Sequence, residues 1–246
     1  MKESRILFLD IETVSGKSEI DEIPERLQTL WKKKSRRFLS PELKNLPTEE
    51  VDWNEVYKER AAILAEFGKI ICISVGFLVP GESENYIMRV KSFAGDDEQA
   101  ILSDFSQLVE DSFSDRKFQY LCGHNVREFD LPYIGRRLLI HNMPLPDALN
   151  FQGKKPWELK HIIDTLELWK FGDYKHYTSL DLLAAIFDIP SPKEDIDGSQ
   201  VGKVYWVDND LDRISRYCER DVWVTAAVYL KLQGLDFPSE DDVVYT

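Results

Sequence analysis

The sequence predicts an α/β fold in which a mixed, five-stranded sheet is flanked by helices. Three observations support this. Apolar runs of strand length occur early in the chain, amphipathic segments alternate with further short strands, and a charged, proline-containing stretch follows the first strand. Successive strands followed by alternating helices and strands are typical of a mixed sheet covered by helices. The chain is long enough for one large domain or two small ones, and we expect a single domain over residues 1–246.

The strands are predicted from their apolar character. Residues 5–12 are almost continuously apolar, as expected of a strand that is buried on both faces. Residues 69–79 and 85–93 predict a second and a third strand, and 118–122 and 161–164 predict two shorter ones.

The helices are predicted from apolar periodicity and from their first residues. The helix over 96–112 begins at two aspartates, which are favoured N-cap residues. Another helix begins near Asp130, with Pro132 tolerated in its first turn. Residues 178–187 predict a short helix and 210–232 a long final one.

Charge is unevenly distributed along the chain. Residues 15–66 are rich in charge and contain prolines between helix-like pieces, which predicts a helical insertion after the first strand. This insertion includes a basic run, Lys32–Arg37, whereas 234–246 is predicted to be an acidic tail. The net charge of −13 has the wrong sign for general phosphate binding, so nucleic-acid binding must rest on local features.

The cysteines and the apolar runs indicate a cytoplasmic protein. Cys72, Cys122 and Cys218 are odd in number and widely spaced, which argues against a disulfide framework and against a zinc site. No apolar run approaches the roughly 20 residues that span a bilayer, so no membrane partner is expected. The N-terminal residues lead directly into the first strand, which leaves no room for a signal peptide.

Two acids, Asp10 and Glu12, end the first strand. Residues two apart in a strand face the same side, so the two carboxylates share one neighbourhood. In a part-buried site they would repel each other unless a cation compensated, and Mg²⁺ favours carboxylate oxygens. The alternative is that the strand simply emerges into solvent at Asp10, because a lone D-x-E is a weak motif.

Two further acids occur where helices are predicted. Asp221 interrupts the apolar stripe of the final helix, and Tyr217 lies four residues before it on the same side. A buried aspartate held by a tyrosine or arginine is the alternative. Asp130 alone is most simply an N-cap, and Asn125 alone a turn residue.

Three ordered motifs together resemble the DEDD superfamily of 3′–5′ exonucleases, which have a ribonuclease-H-like fold. They are LDIET at residues 9–13, HNVREFDLPYIGRR at 124–137 and YCERDVWVT at 217–225. They are most similar to the exonuclease domain of family B DNA polymerases. Tyr217 matches the DEDDy branch, because Arg216 stands where the other branch has histidine. The remaining residues leave no room for a polymerase domain, so the resemblance implies a stand-alone exonuclease.

The resemblance implies a metal-dependent hydrolase. Asp10, Glu12, Asp130 and Asp221 would hold two Mg²⁺ or Mn²⁺ ions, with Asp10 bridging them, and Tyr217 would orient the attacking water. Terminal phosphodiesters of DNA, at single-stranded or frayed 3′ ends, would be hydrolysed to nucleoside 5′-monophosphates.

The expected substrate contacts are Thr13, Asn125, Phe129 and Arg127, although an aromatic such as Phe129 is also typical of a core. Residues 171–177 mix aromatic and basic groups and form a candidate platform for a single strand.

Basic side chains are candidates for steering the strand: Arg127, Arg136, Arg137 and the run Lys32–Arg37. The alternative for the run is a solvated helix face.

Two other functions of the protein stay open. One is a DEDDy exoribonuclease that trims RNA, and the other is a catalytically silent nucleic-acid-binding module. A polymerase or repair partner is compatible with each.

Overall fold

One sheet forms the centre of the molecule. The computed structural model describes residues 3–81, 86–114, 117–173, 175, 177–190 and 196–246. Within these residues the sheet has six strands in the order β5-β4-β1-β2-β3-β6. Their bounds are β1 Ile6–Ser15, β2 Gly68–Pro80, β3 Tyr86–Ala94, β4 Tyr120–Gly123, β5 Ile162–Asp164 and β6 Val243–Tyr245. Strand β1 is antiparallel to β2 and parallel to β4, which confirms the predicted mixed α/β sheet.

The sixth strand lies in the segment that was predicted to be an acidic tail. Residues 243–245 read Val-Val-Tyr, a sequence of high β-propensity, and they pair in parallel with β3 from Met88 to Val90. The acids of this segment, Glu240–Asp242, form a short 3-10 turn immediately before the strand. The prediction of five strands therefore missed an edge strand, because three residues are too few to give a periodic signal.

Helices cover both faces of the sheet. Helices α4 and α5 pack on one face, and α7 and α9 pack on the other. The bounds are α1 Glu25–Ser35, α2 Pro41–Lys44, α3 Trp53–Arg60, α4 Glu98–Ser114, α5 Asp130–Ile140, α6 Thr165–Lys170, α7 Leu180–Ile186, α8 Val201–Lys203 and α9 Leu211–Leu232. One π-helical turn, Val204–Asp208, continues α8.

The side chains of β1 alternate between the two faces. Leu7, Leu9 and Ile11 pack with α4 and α5, whereas Ile6 and Phe8 pack with α7 and α9. The period of a strand is two residues, so the even-numbered positions beyond Phe8 continue on the α9 face. This alternation directs the acids at the end of β1 towards the long final helix.

The predicted helical insertion is present between β1 and β2. It contains α1, α2, α3 and short 3-10 turns, and its core is Trp31 packed against Tyr57 and Phe67, with ring centroids 5.3 and 5.0 Å apart. Ala62 attaches the insertion to β1 and to α5, since its carbonyl accepts hydrogen bonds from the hydroxyls of Thr13 at 3.0 Å and Tyr133 at 2.9 Å. The insertion is thus anchored beside the end of β1.

A buried ion pair joins α4 to α5. Glu98 accepts hydrogen bonds from Arg137 Nε at 2.8 Å and from the Ile70 N–H at 2.7 Å, and His141 also contacts it. Arg137 Nη1 donates to the Ala65 carbonyl at the end of the insertion. These contacts hold four segments together around one carboxylate.

Cys72, Cys122 and Cys218 are all buried and carry free thiols. Among the described residues, no helix combines the length and the apolar character that crossing a membrane requires.

Candidate active site

The two acids of β1 lie side by side on the α9 face. Asp10 is part-buried, whereas the side chain of Glu12 is 8% exposed. The pairing of β1 with β2 shifts directly after Glu12, where Glu12 is opposite Cys72 and Thr13 is opposite Ile70. Such a bulge locally increases the twist of a strand. Glu12 therefore belongs to the last regular pair before the bulge, and Asp10 lies two residues before it.

Asp130, the first residue of α5, contacts the same stretch of β1. Its Oδ1 accepts a hydrogen bond from the backbone N–H of Ile11 at 3.2 Å, and its side chain is buried. Strand β4 is paired with β1 only as far as Phe8, so Ile11 lies beyond the end of β4. The carboxylate takes the place that a strand partner would otherwise fill.

Gly123 permits β4 to end here. A Cβ at this position would lie 2.7 Å from the side chain of Val126 and 3.0 Å from the carbonyl oxygen of Leu9. The first separation is shorter than real Cβ contacts and the second is unusually tight, so a side chain at residue 123 would displace the turn that leads towards Asp130.

Helix α9 brings the last acid to the site. Cys218 Sγ lies 3.5 Å from both the carbonyl oxygen and Oδ2 of Asp10, which fixes the helix against β1. Asp221 lies three residues beyond Cys218, and Tyr217 lies one turn before Asp221. Asp221 and Tyr217 are both part-buried and line one cavity with Asp10.

The electrostatics confirm that these carboxylates are neighbours. Burial raises the pKa of Asp10 well above its usual value, and the charges of Asp130, Asp221 and Glu12 raise it further. Burial, with Asp164 and Asp221, raises the pKa of Asp130 to about 7, although the hydrogen bond from Ile11 opposes this. Four acids that destabilise one another's charged forms fit a site for divalent cations, because a cation compensates all of them.

The donor set also fits a metal ion. One ligand atom from each of Asp10, Glu12 and Cys218 lies within 4.8 Å of the others. Carboxylate oxygens are the ligands that Mg²⁺ and Mn²⁺ prefer.

A cavity of about 260 Å³ opens beside the acids. Asp10, Tyr217 and Asp221 lie on its wall, together with His124, Tyr177 and Ser179 from the segments that follow β4 and precede α7. A larger groove of about 720 Å³, between β3 and α4, contains none of the four acids.

His124 was not predicted as a site residue. Its Nε2 contacts the carbonyl of Thr178 at 2.9 Å and its Nδ1 contacts the hydroxyl of Thr165 at 2.9 Å. Burial lowers the pKa of His124, which favours the neutral ring, and the Thr178 carbonyl can accept a hydrogen bond only from a protonated Nε2. The sequence could have indicated His124 as a site residue, because it directly precedes Asn125 in the second motif.

Asp164, at the end of β5, was also missed. Its carboxylate accepts hydrogen bonds from the N–H groups of Asn125, Arg127 and Leu166 at 2.9–3.0 Å. It thereby caps α6 and holds the turn in which Asn125 adopts a left-handed φ of 59°. The sequence could have indicated Asp164, because it follows a short apolar strand in the same way as Asp10.

The side chains of Thr13 and Arg127 have partners within the protein. Thr13 Oγ1 donates to the Ala62 carbonyl at 3.0 Å, on the face of β1 opposite to the acids. The Arg127 guanidinium donates to the carbonyls of Leu159 and Ile162. Both side chains therefore stabilise local structure, and their expected contacts to substrate stay predictions.

Phe129 packs against the core formed with α5, and its ring lies 5.5 Å from that of Tyr133. Arg137 is buried in its ion pair with Glu98, so it does not steer a strand, whereas Arg136 is exposed. In the proposed platform, Phe171 is 89% exposed and Tyr177 is 68% exposed. Residues 174 and 176 of that platform lie outside the described residues.

Two side chains of the basic run, Lys34 and Arg36, bind other residues of the insertion. Lys34 pairs with Glu66 at 2.7 Å, and Arg36 donates to the hydroxyl of Thr48 at 3.0 Å. Lys33 and Arg37 are exposed.

Comparison with solved structures relates this fold to a DNA polymerase. The structure of the family B DNA polymerase from the hyperthermophilic archaeon Pyrobaculum calidifontis matches with a TM-score of 0.58 and 16% sequence identity. The match covers 93% of this chain and 24% of that polymerase, so the chain spans about a quarter of its length. At this identity the likeness concerns the fold. Comparison with curated protein sequences gives no match.

Comparison with protein families gives the more specific result. Residues 63–238 match the family described as "Predicted 3'-5' exonuclease related to the exonuclease domain of PolB". The matched range contains Asp130, Tyr217 and Asp221, and it begins after Asp10 and Glu12. More than half of the chain is matched. The chain therefore belongs to this family of 3′–5′ exonucleases, which are hydrolases related to the exonuclease domain of family B DNA polymerases.

Proposed function

We propose that this exonuclease acts on DNA, at single-stranded or frayed 3′ ends, and releases nucleoside 5′-monophosphates by a two-metal mechanism. The observation that carries the proposal is the meeting of four carboxylates from β1, α5 and α9, two of which, Asp10 and Asp221, line one cavity. A protein that only bound nucleic acid would gain nothing from repelling carboxylates at its binding site.

Asp10, Glu12, Asp130 and Asp221 would hold two divalent cations, Mg²⁺ or Mn²⁺. When bound, such cations activate the attacking water and neutralise the charge that develops on the phosphate oxygens. The protein supplies a rigid arrangement, because Asp130 is hydrogen-bonded to the backbone of β1 and Cys218 contacts Asp10. Little rearrangement of the ligands is then needed before reaction.

Tyr217 would orient the attacking water through its hydroxyl, from the same cavity wall as Asp221. His124, Tyr177 and Ser179 line the rest of the cavity and are placed to hold the terminal nucleotide. Asn125 and Phe129, on the turn and at the start of α5, stay proposed substrate contacts. A volume of about 260 Å³ is near the lower end of ligand sites, which favours one unpaired nucleotide over a base pair.

The likeness to a DNA polymerase favours DNA as the substrate. The test compares 5′-labelled single-stranded DNA, duplex DNA, duplex DNA with a frayed 3′ end, and RNA, each with Mg²⁺, Mn²⁺ or EDTA. We expect ladders that shorten from the 3′ end, fastest on single-stranded and frayed DNA, and nucleoside 5′-monophosphate as the product. Faster shortening of RNA would identify an exoribonuclease instead, and uncut substrates with both metals would refute the proposal.

A matched pair of variants on α9 locates the activity. Asp221→Ala should lower the rate at least about 100-fold, since it removes a metal ligand. Asp212→Ala changes an exposed acid in the first turn of the same helix and should leave the rate unchanged. Equal rates for the two variants would show that the activity belongs to another site or to a contaminant.

A further inference from the structure

A cysteine thiol lies within the group of carboxylates. Cys218 Sγ is 3.5 Å from Asp10 Oδ2, and one ligand atom from each of Asp10, Glu12 and Cys218 lies within 4.8 Å of the others. The thiol has no solvent exposure of its own, but Asp10 opens to the cavity. An ion that enters through the cavity therefore meets two carboxylates and one sulfur.

The separation of sulfur and oxygen suits a single ion. Tetrahedral zinc binds sulfur at about 2.3 Å and carboxylate oxygen at about 2.0–2.2 Å, which places two such ligands about 3.6 Å apart. The observed Sγ to Oδ2 distance is 3.5 Å. Glu12, with a ligand atom within 4.8 Å of those of Asp10 and Cys218, would supply the third ligand, and water would fill the fourth position.

The chemistry of these donors differs from that of a site made only of oxygen. Mg²⁺ binds oxygen ligands and keeps several waters, whereas thiolate selects softer ions such as Zn²⁺ and Cd²⁺. A second thiol, that of Cys72, is a neighbour of Cys218 on the facing strand β2. The sulfur therefore lies beside the acids, at the point where β1, β2 and α9 meet.

We propose that Asp10, Glu12 and Cys218 form a mixed oxygen–sulfur site that binds a thiophilic divalent cation, Zn²⁺ or Cd²⁺, and that this ion arrests the exonuclease by excluding Mg²⁺ and Mn²⁺. On binding, the Cys218 thiol releases its proton to solvent, and bonds to the ion replace its hydrogen bond to Asp10. The binding itself stands on the side-chain positions alone, whereas the arrest rests on the proposed function.

Cadmium titration tests the sulfur ligand directly. The reduced wild-type protein should develop an ultraviolet sulfur-to-cadmium charge-transfer band that saturates at one Cd²⁺ per chain. Cys218→Ser should lose the band. The double variant Cys72→Ala/Cys122→Ala, in which Cys218 is the remaining cysteine, should keep it. This second variant decides the question even where Cys218→Ser does not fold.

Metal affinity gives the second measurement. The dissociation constant for Zn²⁺ should rise at least about tenfold in Cys218→Ser, because a metal ligand is lost, whereas that for Mn²⁺ should change less. Zn²⁺ should inhibit Mn²⁺-dependent digestion in competition with Mn²⁺. Absence of the cadmium band in the wild type, or its loss only in the double variant, would overturn the assignment of Cys218.

The two proposals fail in different ways. A protein that shows the band and cuts no nucleic acid would refute the proposed function and leave the mixed site standing. A protein that cuts DNA without the band would refute the mixed site alone.

Discussion

Asp130 Oδ1 accepts a hydrogen bond from the backbone N–H of Ile11, the residue that separates Asp10 from Glu12. One contact thus joins the start of α5 to the middle of the acidic end of β1. It exists because β4 stops short of Ile11 and leaves that N–H to a side chain. The acids are therefore held together by a backbone contact that does not depend on a bound ion.

Two substitutions of Asp130 separate its structural role from its charge. Asp130→Ala leaves the buried Ile11 N–H without its acceptor and should lower the free energy of unfolding by about 1–3 kcal/mol. Asp130→Asn keeps an acceptor oxygen and should lower it by less. Urea denaturation at pH 5, where the raised pKa keeps much of the wild-type carboxyl protonated, measures both. Equal losses would mean that the hydrogen bond does not stabilise the fold.

The metal-free protein should lose stability as the pH rises. The pKa of Asp130 is raised from 3.8 to about 7, so its contribution is complete below about pH 4 and is lost as the pH rises through 7. Burial and neighbouring acids shift the pKa of Asp10 in the same direction.

Thermal unfolding in EDTA at pH 5.5 and pH 8 tests this prediction. The melting temperature should be lower at pH 8, and Mn²⁺ should raise it more at pH 8 than at pH 5.5. Asp130→Asn should reduce the difference between the two pH values. A wild-type protein that is more stable at pH 8 in EDTA would contradict the electrostatic account of the site.

Arg127 should be important for stability more than for substrate binding. Its guanidinium donates to main-chain carbonyls between Pro156 and Ile162, so Arg127→Ala should lower the free energy of unfolding by about 1–3 kcal/mol. Arg127→Lys keeps the charge and loses the forked geometry, so it should show much of the same loss. A rise in KM for single-stranded DNA with unchanged stability would show a substrate contact instead.

Neighbouring arginines on α5 should behave differently. Arg137→Gln leaves Glu98 buried without its ion-pair partner and should lower the free energy of unfolding by about 3–5 kcal/mol. Arg136→Gln changes an exposed position and should change the free energy of unfolding by no more than about 0.5 kcal/mol. Burial raises the pKa of Glu98, but Arg137, the Ile70 N–H and His141 outweigh it and lower the pKa below 4.5.

The contribution of Glu98 is therefore present above about pH 4.5 and is lost as the pH falls through its lowered pKa. Urea denaturation at pH 7 and pH 3.5 should show that the gap between wild type and Arg137→Gln narrows in acid. A gap that widens in acid would contradict the assigned ion pair.

Local sequence patterns were sufficient to predict where several acids of this candidate site lie. The period of two in β1 predicted that Asp10 and Glu12 share a face, and the packing of Ile6 and Phe8 on α9 agrees with it. Asp221 was detectable because it interrupts an apolar helical stripe. These features depend on neighbours along the chain, which a sequence displays directly.

Other features depend on contacts between distant segments. The hydroxyl of Thr13 finds Ala62, 49 residues away, and Cys218 finds Asp10 across 208 residues. Asp164 orders the turn at Asn125 from 39 residues away. No local period signals such pairs, so the sequence did not reveal the main-chain partners of Thr13 and Arg127.

The central claim is that the acids of β1, α5 and α9 form one divalent-cation centre. Mn²⁺ binding to the purified protein, followed by electron paramagnetic resonance of the free ion, tests it most directly. The account predicts two Mn²⁺ per wild-type chain, as in two-metal nucleases, unchanged binding in Asp212→Ala, and one or none in Asp10→Asn. Wild-type stoichiometry and affinity in Asp10→Asn, or no Mn²⁺ bound by the wild type, would contradict it.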